Sequence, residues 1–293
     1  MPLLICPYII GVPFESGCDR KGAGQAPEWL WRNAAFLPTR NTHVWVNLHI
    51  STNDMQRFGV KNYDAVLNTC MALRDVISKE CKEGRKLLIL GGDHSIALGS
   101  IAGVLEDEPN LAVIWFDAHG DINTESTSPS ANAHGMPLAA LMGLCASGLN
   151  DVANVRLKPQ NVFWVGARDL DEGEIDILKQ LGIYDHVYAA ETIRQRGMSA
   201  VMEEIAARMK EQHIERLHLS FDIDGVDPSI VHATGTPVAN GLLQSEVDAF
   251  IHSLPQLPTL QSLDFVEYNP LMDDDEKRTG KWCVETLKCL VES

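Results

Sequence analysis

Ala112-Val113-Ile114-Trp115-Phe116-Asp117-Ala118-His119-Gly120-Asp121 is the stretch from which the fold is read. Its first five residues are apolar at every position, which leaves no face for water. A strand of that kind belongs in a parallel sheet covered by helices on both sides. The abrupt change to Asp-x-His-x-Asp marks the strand's carboxyl end, and open parallel sheets bind their ligands beyond such ends. Working outward, β-rich runs at 3–10, 44–48, 86–90, 161–165, 186–189, 216–221 and 260–267 alternate with helical patterns at 62–83, 95–105, 173–181, 199–212, 245–253 and 276–291. This alternation predicts a doubly wound α/β fold. No repeat, low-complexity tract or composition break marks a linker, so residues 1–293 are read as one domain. The Ser/Thr/Asn/Pro-rich segment 123–133 reads as a surface loop.

Bulk properties exclude several classes. The formal net charge of −16 argues against nucleic acid, whose phosphates demand a basic face. No run reaches the roughly 18 to 20 apolar residues of a membrane span. The apolar start of the chain, broken by Pro2, Pro7 and Pro13 and lacking a basic leader, reads as a buried first strand rather than a signal peptide. Seven scattered cysteines (Cys6, Cys18, Cys70, Cys81, Cys145, Cys283 and Cys289) form no Cys-x-x-Cys pair and read as reduced thiols of a cytoplasmic protein.

The polar clusters fall at strand ends. Gly91-Gly92-Asp93-His94-Ser95 follows the strand at 86–90, and Asp222-Ile223-Asp224-Gly225-Val226-Asp227-Pro228 follows that at 216–221. Asp117, His119 and Asp121 are spaced i, i+2, i+4, and Asp222 and Asp224 i, i+2, so in extended backbone each set points to one side. That many carboxylates in one region raise each other's pKa unless positive charge compensates. A pair of divalent cations supplies it. Carboxylate and imidazole without thiolate suit Mn²⁺, with Co²⁺, Fe²⁺ or Zn²⁺ as substitutes. A lone Asp-x-Asp is more often a helix cap or turn former. It is three such motifs, in order and each after a strand, that favour metal.

These motifs resemble the ureohydrolase family, which includes arginases and agmatinases. Ile10-Gly11-Val12-Pro13 is similar to its opening strand and turn, and Thr234-Gly235-Thr236-Pro237 and Glu267-Tyr268-Asn269-Pro270 to its late motifs. The resemblance implies a three-layer α/β/α fold with an eight-stranded parallel sheet. It also implies two Mn²⁺ per chain. His94 and Asp121 would be terminal ligands of one, His119 and Asp224 of the other, with Asp117 and Asp222 bridging. The implied reaction is hydrolysis of a guanidinium by a metal-bridging hydroxide. Glu267 would hold the guanidinium, Asp121 would carry a proton to the leaving amine, and His134 in Asn132-Ala133-His134-Gly135 would shuttle protons at the pocket mouth. The remaining histidines (His43, His49, His186, His213, His218, His232 and His252) match no motif. They read as surface or packing residues, with His218 buried and hydrogen-bonded in its strand.

The far end of the substrate distinguishes members of the family. L-Arginine carries an α-carboxylate that agmatine lacks, and a site for it needs extra donors and an extra acid. The pattern is most similar to the arginases. Asn123, Ser130 and Asn132 would meet the α-carboxylate, Asp171 the α-ammonium, and Glu174 the same group through a water, with Thr236 also contacting substrate. The expected reaction is thus L-arginine to L-ornithine and urea. Alternatives are a relative acting on agmatine, guanidinobutyrate or formiminoglutamate, and a catalytically silent metal-binding scaffold. Two positions depart from the pattern: Gln25-Ala26-Pro27 stands where many relatives have Gly-Pro, and Ala131 where Gly is common. The resemblance further implies a homo-oligomer, a trimer or hexamer.

Overall fold

The computed structural model describes residues 7–37, 43–46 and 56–292. The beginning of the expected strand at 3–10, the end of that at 44–48, Cys6 and His49 lie outside them. Among the described residues, eight strands form one sheet: β1 (Tyr8–Val12), β2 (His43–Trp45), β3 (Leu87–Gly91), β4 (Ala112–Phe116), β5 (Val162–Val165), β6 (Val187–Tyr188), β7 (Arg216–Asp222) and β8 (Thr259–Val266). Their order is β2-β1-β3-β8-β7-β4-β5-β6, and every pairing is parallel.

Alternation along the strands divides the core in two. Ala112, Ile114 and Phe116 face one layer with Leu88, Leu90, Leu219 and Phe221. Val113 and Trp115 face the other with Leu87, Ile89 and Val266. The first layer is closed by α1 (Ala26–Asn33), α6 (Ala190–Arg196), α7 (Met198–Glu211), α8 (Gln244–Ser253) and α9 (Arg278–Glu292). The second is closed by α2 (Tyr63–Lys82), α3 (Ala97–Leu105), α4 (Pro137–Met142) and α5 (Glu172–Gln180). This is the expected three-layer α/β/α arrangement. Fully burying a large side chain such as Trp115, which is 0% exposed, contributes roughly 1.5–3 kcal/mol.

Several details differ from the sequence reading. α1, α4 and α6 have eight, six and seven residues, too few turns for a 3.6-residue period to stand out. The departure at Gln25-Ala26-Pro27 lies at the start of α1, where Pro27 occupies a first-turn position that needs no amide hydrogen. The run at 95–105 begins with a 3₁₀ turn, His94–Ile96, capped by Asp93. The segment 123–133 is only partly a surface loop. Asn123, Thr124 and Asn132 are buried, because this segment lines the cleft described below.

Topology positions the site. The four adjacent strands β3, β8, β7 and β4 form the centre of the sheet, and their carboxyl ends run into His94, Glu267, Asp222 and Asp117. Residues from distant parts of the chain therefore meet above the middle of the sheet.

Candidate metal centre and substrate cleft

Asp117 lies at the centre. Its Oδ2 is 3.0 Å from His94 Nδ1, and its Oδ1 is 3.2 Å from His119 Nδ1. Two groups with metal-ligand spacing result, His94–Asp117–Asp121 and Asp117–His119–Asp224, sharing Asp117. His94 Nδ1 also lies 3.2 Å from Asp121 Oδ2 and 3.1 Å from Asp222 Oδ2. His119 Nδ1 lies 3.3 Å from Asp224 Oδ2. Asp222 belongs beside His94; its other oxygen, Oδ1, accepts the Asp224 amide at 2.8 Å.

Local backbone chemistry holds these groups. Asp93 accepts the Gly17 amide at 2.7 Å and the Ser95 amide at 3.0 Å, fixing the turn that presents His94. Gly92 is needed there, since a Cβ would sit 1.7 Å from the Phe14 carbonyl oxygen. Trp115 Nε1 donates to Asp117 Oδ2 at 2.9 Å, and its ring stacks on His94 with centroids 4.0 Å apart. Asp121 and Glu267 both adopt positive φ, 48° and 66°, a conformation L-residues rarely take and one that collects at functional sites. Glu267 Oε1 accepts the His94 amide at 2.8 Å and lies 3.4 Å from His134 Nδ1.

The electrostatics are those of a cluster short of positive charge. Burial pushes Asp121 up to about 6, helped by Asp117. It pushes Asp222 well above the carboxylate range, with Asp224 and Asp117 adding to it. Burial would lower both His94 and His119, yet the surrounding carboxylates raise both. For His134 burial is likewise outweighed, chiefly by Glu267, and its pKa is raised to about 9.

The donor set fits a cation. His94 Nδ1 is buried and, among the described residues, makes no hydrogen bond of acceptable geometry, although three carboxylates converge on it at 3.0–3.2 Å. One imidazole N–H cannot serve three acceptors from one position. A divalent ion in their midst can, and four carboxylates with two imidazoles and no thiolate are a hard ligand set of the Mn²⁺ type.

Above the cluster opens a cleft of about 240 Å³ lined by His119, Asp121, Asn123, Ser130, Asn132, His134, Asp171, Glu174, Asp222 and Thr236. His134 and Thr236 also border a smaller recess of about 160 Å³ that reaches Glu267. All fourteen residues singled out from the sequence thus line the cleft or recess or lie in the cluster beneath them. Asn123 Nδ2 donates to Asp171 Oδ2 at 2.8 Å, Asn132 Nδ2 reaches Asp19 Oδ2 at 3.3 Å, and Thr236 Oγ1 donates to Asp224 Oδ2 at 2.9 Å. Ser130 is exposed at the rim, where its Oγ accepts the Asn132 amide at 3.2 Å. Glu174 accepts the Ile122 and Asp171 amides at 3.0 and 2.9 Å, tying the start of α5 to the loop after β4; burial raises its pKa to about 8.

Sequence reasoning missed a set of supporting residues. Arg168 donates to the carbonyls of Asp224 and Val238 at 2.8 Å and Gly225 at 3.0 Å, clamping the loop that carries Asp224. Ser220 and Asp264 stand behind His94. The available signal was His218, Ser220 and Asp222 at i, i+2, i+4, a polar stripe along one face of an otherwise apolar strand.

Fold and site together define an α/β enzyme with a paired His–carboxylate centre at the carboxyl edge of a parallel sheet. The chain belongs to the arginase family, whose sequence pattern matches residues 7–291, and it is a hydrolase. It is 37% identical over 285 residues to an arginase of Bacillus caldovelox, covering 92% of each chain. The native structure of an arginase from that organism superimposes with a TM-score of 0.89 at 34% identity, covering 99% of each chain. An Entamoeba histolytica arginase solved in complex with L-ornithine superimposes with a TM-score of 0.88 at 33% identity, covering 96% of this chain and 97% of that one.

Proposed function

We propose that this chain hydrolyses L-arginine to L-ornithine and urea, using two Mn²⁺ ions (Co²⁺ a substitute) held by His94, Asp117, His119, Asp121, Asp222 and Asp224. The observation that carries the reading is the unsatisfied His94 Nδ1 facing three carboxylates, with Asp117 spanning to the second group, under a cleft of the right polarity. When bound, such ions supply Lewis acidity that lowers the pKa of water near neutrality.

The residues account for the rest. A guanidinium is planar, cationic and a poor electrophile. Glu267, fixed by the His94 amide, would accept hydrogen bonds from it and orient its carbon; orientation of this kind is worth up to roughly 7–11 kcal/mol of barrier. The tetrahedral intermediate expels an amine only after protonation. Asp121 lies against His94 and borders the cleft, where it can deliver that proton. His134, one-fifth exposed and bordering both cleft and recess, exchanges protons with solvent.

At the mouth, Asn123, Ser130 and Asn132 would take the α-carboxylate and Asp171 the α-ammonium, with Glu174 acting behind Asp171 and Thr236 closing the opposite wall. The L-ornithine complex of the Entamoeba histolytica arginase supports an amino-acid ligand in a site of this family. Five described cysteines, Cys18, Cys70, Cys81, Cys145 and Cys283, are buried thiols outside any disulfide, which supports a reducing, cytoplasmic setting. A trimer or hexamer formed by one catalytic domain per chain completes the reading. Among the described residues no helix is long and apolar enough to cross a membrane.

The test is urea release from L-arginine, agmatine and guanidinobutyrate, and formamide release from formiminoglutamate, with Mn²⁺ supplied. Arginine is expected to lead the panel. A preference for agmatine overturns the substrate, and two bound Mn²⁺ with no product from any compound overturns the catalysis.

A further inference from the structure

Behind His94, away from the cleft, lies a buried polar chain that the reaction does not use. On β7, His218 and Ser220 are 0% exposed; beside them on β8, Ser262 and Asp264 are 0% exposed as well. The register sets His218 opposite Ser262 and Ser220 opposite Asp264. His218 Nδ1 is 2.7 Å from Ser262 Oγ and its Nε2 3.1 Å from Asp264 Oδ2. Ser100, from α3, donates to Asp264 Oδ2 at 2.6 Å. Ser220 Oγ lies 3.5 Å from the same oxygen and 2.8 Å from His94 Nε2.

A carboxylate this deep costs stability even when paired. Among the described residues, Asp264 Oδ1 has no hydrogen-bond partner at all. What the arrangement provides is direction. Asp264 as a carboxylate only accepts, so the Ser220 hydroxyl gives its hydrogen towards Asp264 and turns a lone pair to His94. With the hydrogen on Nε2, Nδ1 would present its lone pair to a cation held among Asp117, Asp121 and Asp222. Among the described residues the second imidazole has no such backing. His119 Nε2 has Asp169 Oδ2 at 3.9 Å, on a side chain 67% exposed.

From this asymmetry we infer that Ser220 and Asp264 are positioning residues that fix the His94 tautomer and so set the metal affinity of the first pocket without affecting the second. The inference rests on the metal reading above. Partners behind a ligating histidine typically change metal affinity roughly 10- to 100-fold when removed.

The experiment titrates Mn²⁺ into the metal-stripped full chain, reading free Mn²⁺ by electron paramagnetic resonance. It is done on a His119→Ala background, which leaves the first pocket, and on a His94→Ala background, which leaves the second. Ser220→Ala is expected to weaken binding roughly 10- to 100-fold in the first background and not at all in the second. Asp264→Asn, which removes the charge but little volume, is expected to show the same selectivity. Equal weakening in both backgrounds, or none in either, overturns the inference. If the unsubstituted chain binds no Mn²⁺, the metal reading itself falls, an outcome distinct from intact binding that Ser220→Ala fails to alter.

Discussion

Asn123 Nδ2 donates to Asp171 Oδ2 at 2.8 Å, so the loop after β4 and the start of α5 meet across the mouth of the cleft. The two side chains come from different connections, yet both are proposed to meet the α-substituents of the same amino acid. Their bond pre-orients the acid before substrate arrives. Asn132 is held in a similar way by Asp19, which Lys61 in turn pairs at 2.7 Å.

Asp171→Ala and Asn132→Ala should therefore reduce kcat/KM for L-arginine without emptying the metal pockets. A hydrogen bond to a charged group is worth about 1.5–3 kcal/mol, which corresponds to roughly a 10- to 100-fold loss. Turnover of agmatine, which has no α-carboxylate, should be insensitive to Asn132→Ala. Unchanged arginine kinetics in both variants would remove the basis for the substrate assignment.

His119→Ala should release one ion of two. In the second group, Asp224 is oriented by Thr236 and its loop by Arg168, so the remaining carboxylates keep their places when the imidazole is lost. Metal content measured after gel filtration is expected to fall from about two per chain to about one, because losing a ligand outright exceeds the loss seen for its supporting partners. Two fully occupied ions in this variant would refute the ligand assignment.

The motifs that carry the proposed ligands were legible in the sequence because each is local: a strand, then acids and imidazoles at alternating positions. Asp117, His119 and Asp121 stand out by their own spacing, and the two further motifs after strands are what turn that spacing into a metal reading. Ser220 and Asp264 were not legible, since their meeting depends on the register of β7 against β8 and on which α3 residue reaches the sheet. Arg168 was passed over for a related reason. Its partners are backbone carbonyls at 224–226 and 238–239, which have no side-chain signature. The short helices α1, α4 and α6 were lost to their length.

Ala131 shows how a departure from a family pattern acquires a physical cause. Its φ is 61°, in the left-handed region, where a Cβ costs roughly 1–2 kcal/mol. The conformation is imposed by its neighbours: its amide donates to Ser128 Oγ at 3.0 Å, and its carbonyl accepts the Lys61 amide at 2.9 Å. Ala131→Gly should relieve that strain while adding about 0.4–1 kcal/mol of unfolded-state entropy. The net expectation is a gain of about 0.5–1 kcal/mol in urea unfolding. A loss of stability would show that the methyl group packs usefully enough to offset its backbone cost.

His186 gives the fold a pH dependence remote from the metal pockets. It is 6% exposed, stacks on Phe163 with ring centroids 4.9 Å apart, and places Nδ1 2.9 Å from the Val162 carbonyl. Burial holds its pKa below the ordinary 6.5; the Val162 carbonyl opposes this and Arg208 reinforces it. The folded state therefore binds this proton less readily than the unfolded chain does. Its stabilising contribution is present above pH 6.5 and is lost as pH falls through the lower folded value. His186→Phe keeps a flat ring against Phe163 but cannot take up a proton. Urea midpoints measured from pH 7.5 down to about 5 should fall less steeply in the variant than in the parent chain. Parallel slopes would mean that the acid sensitivity of the fold originates elsewhere.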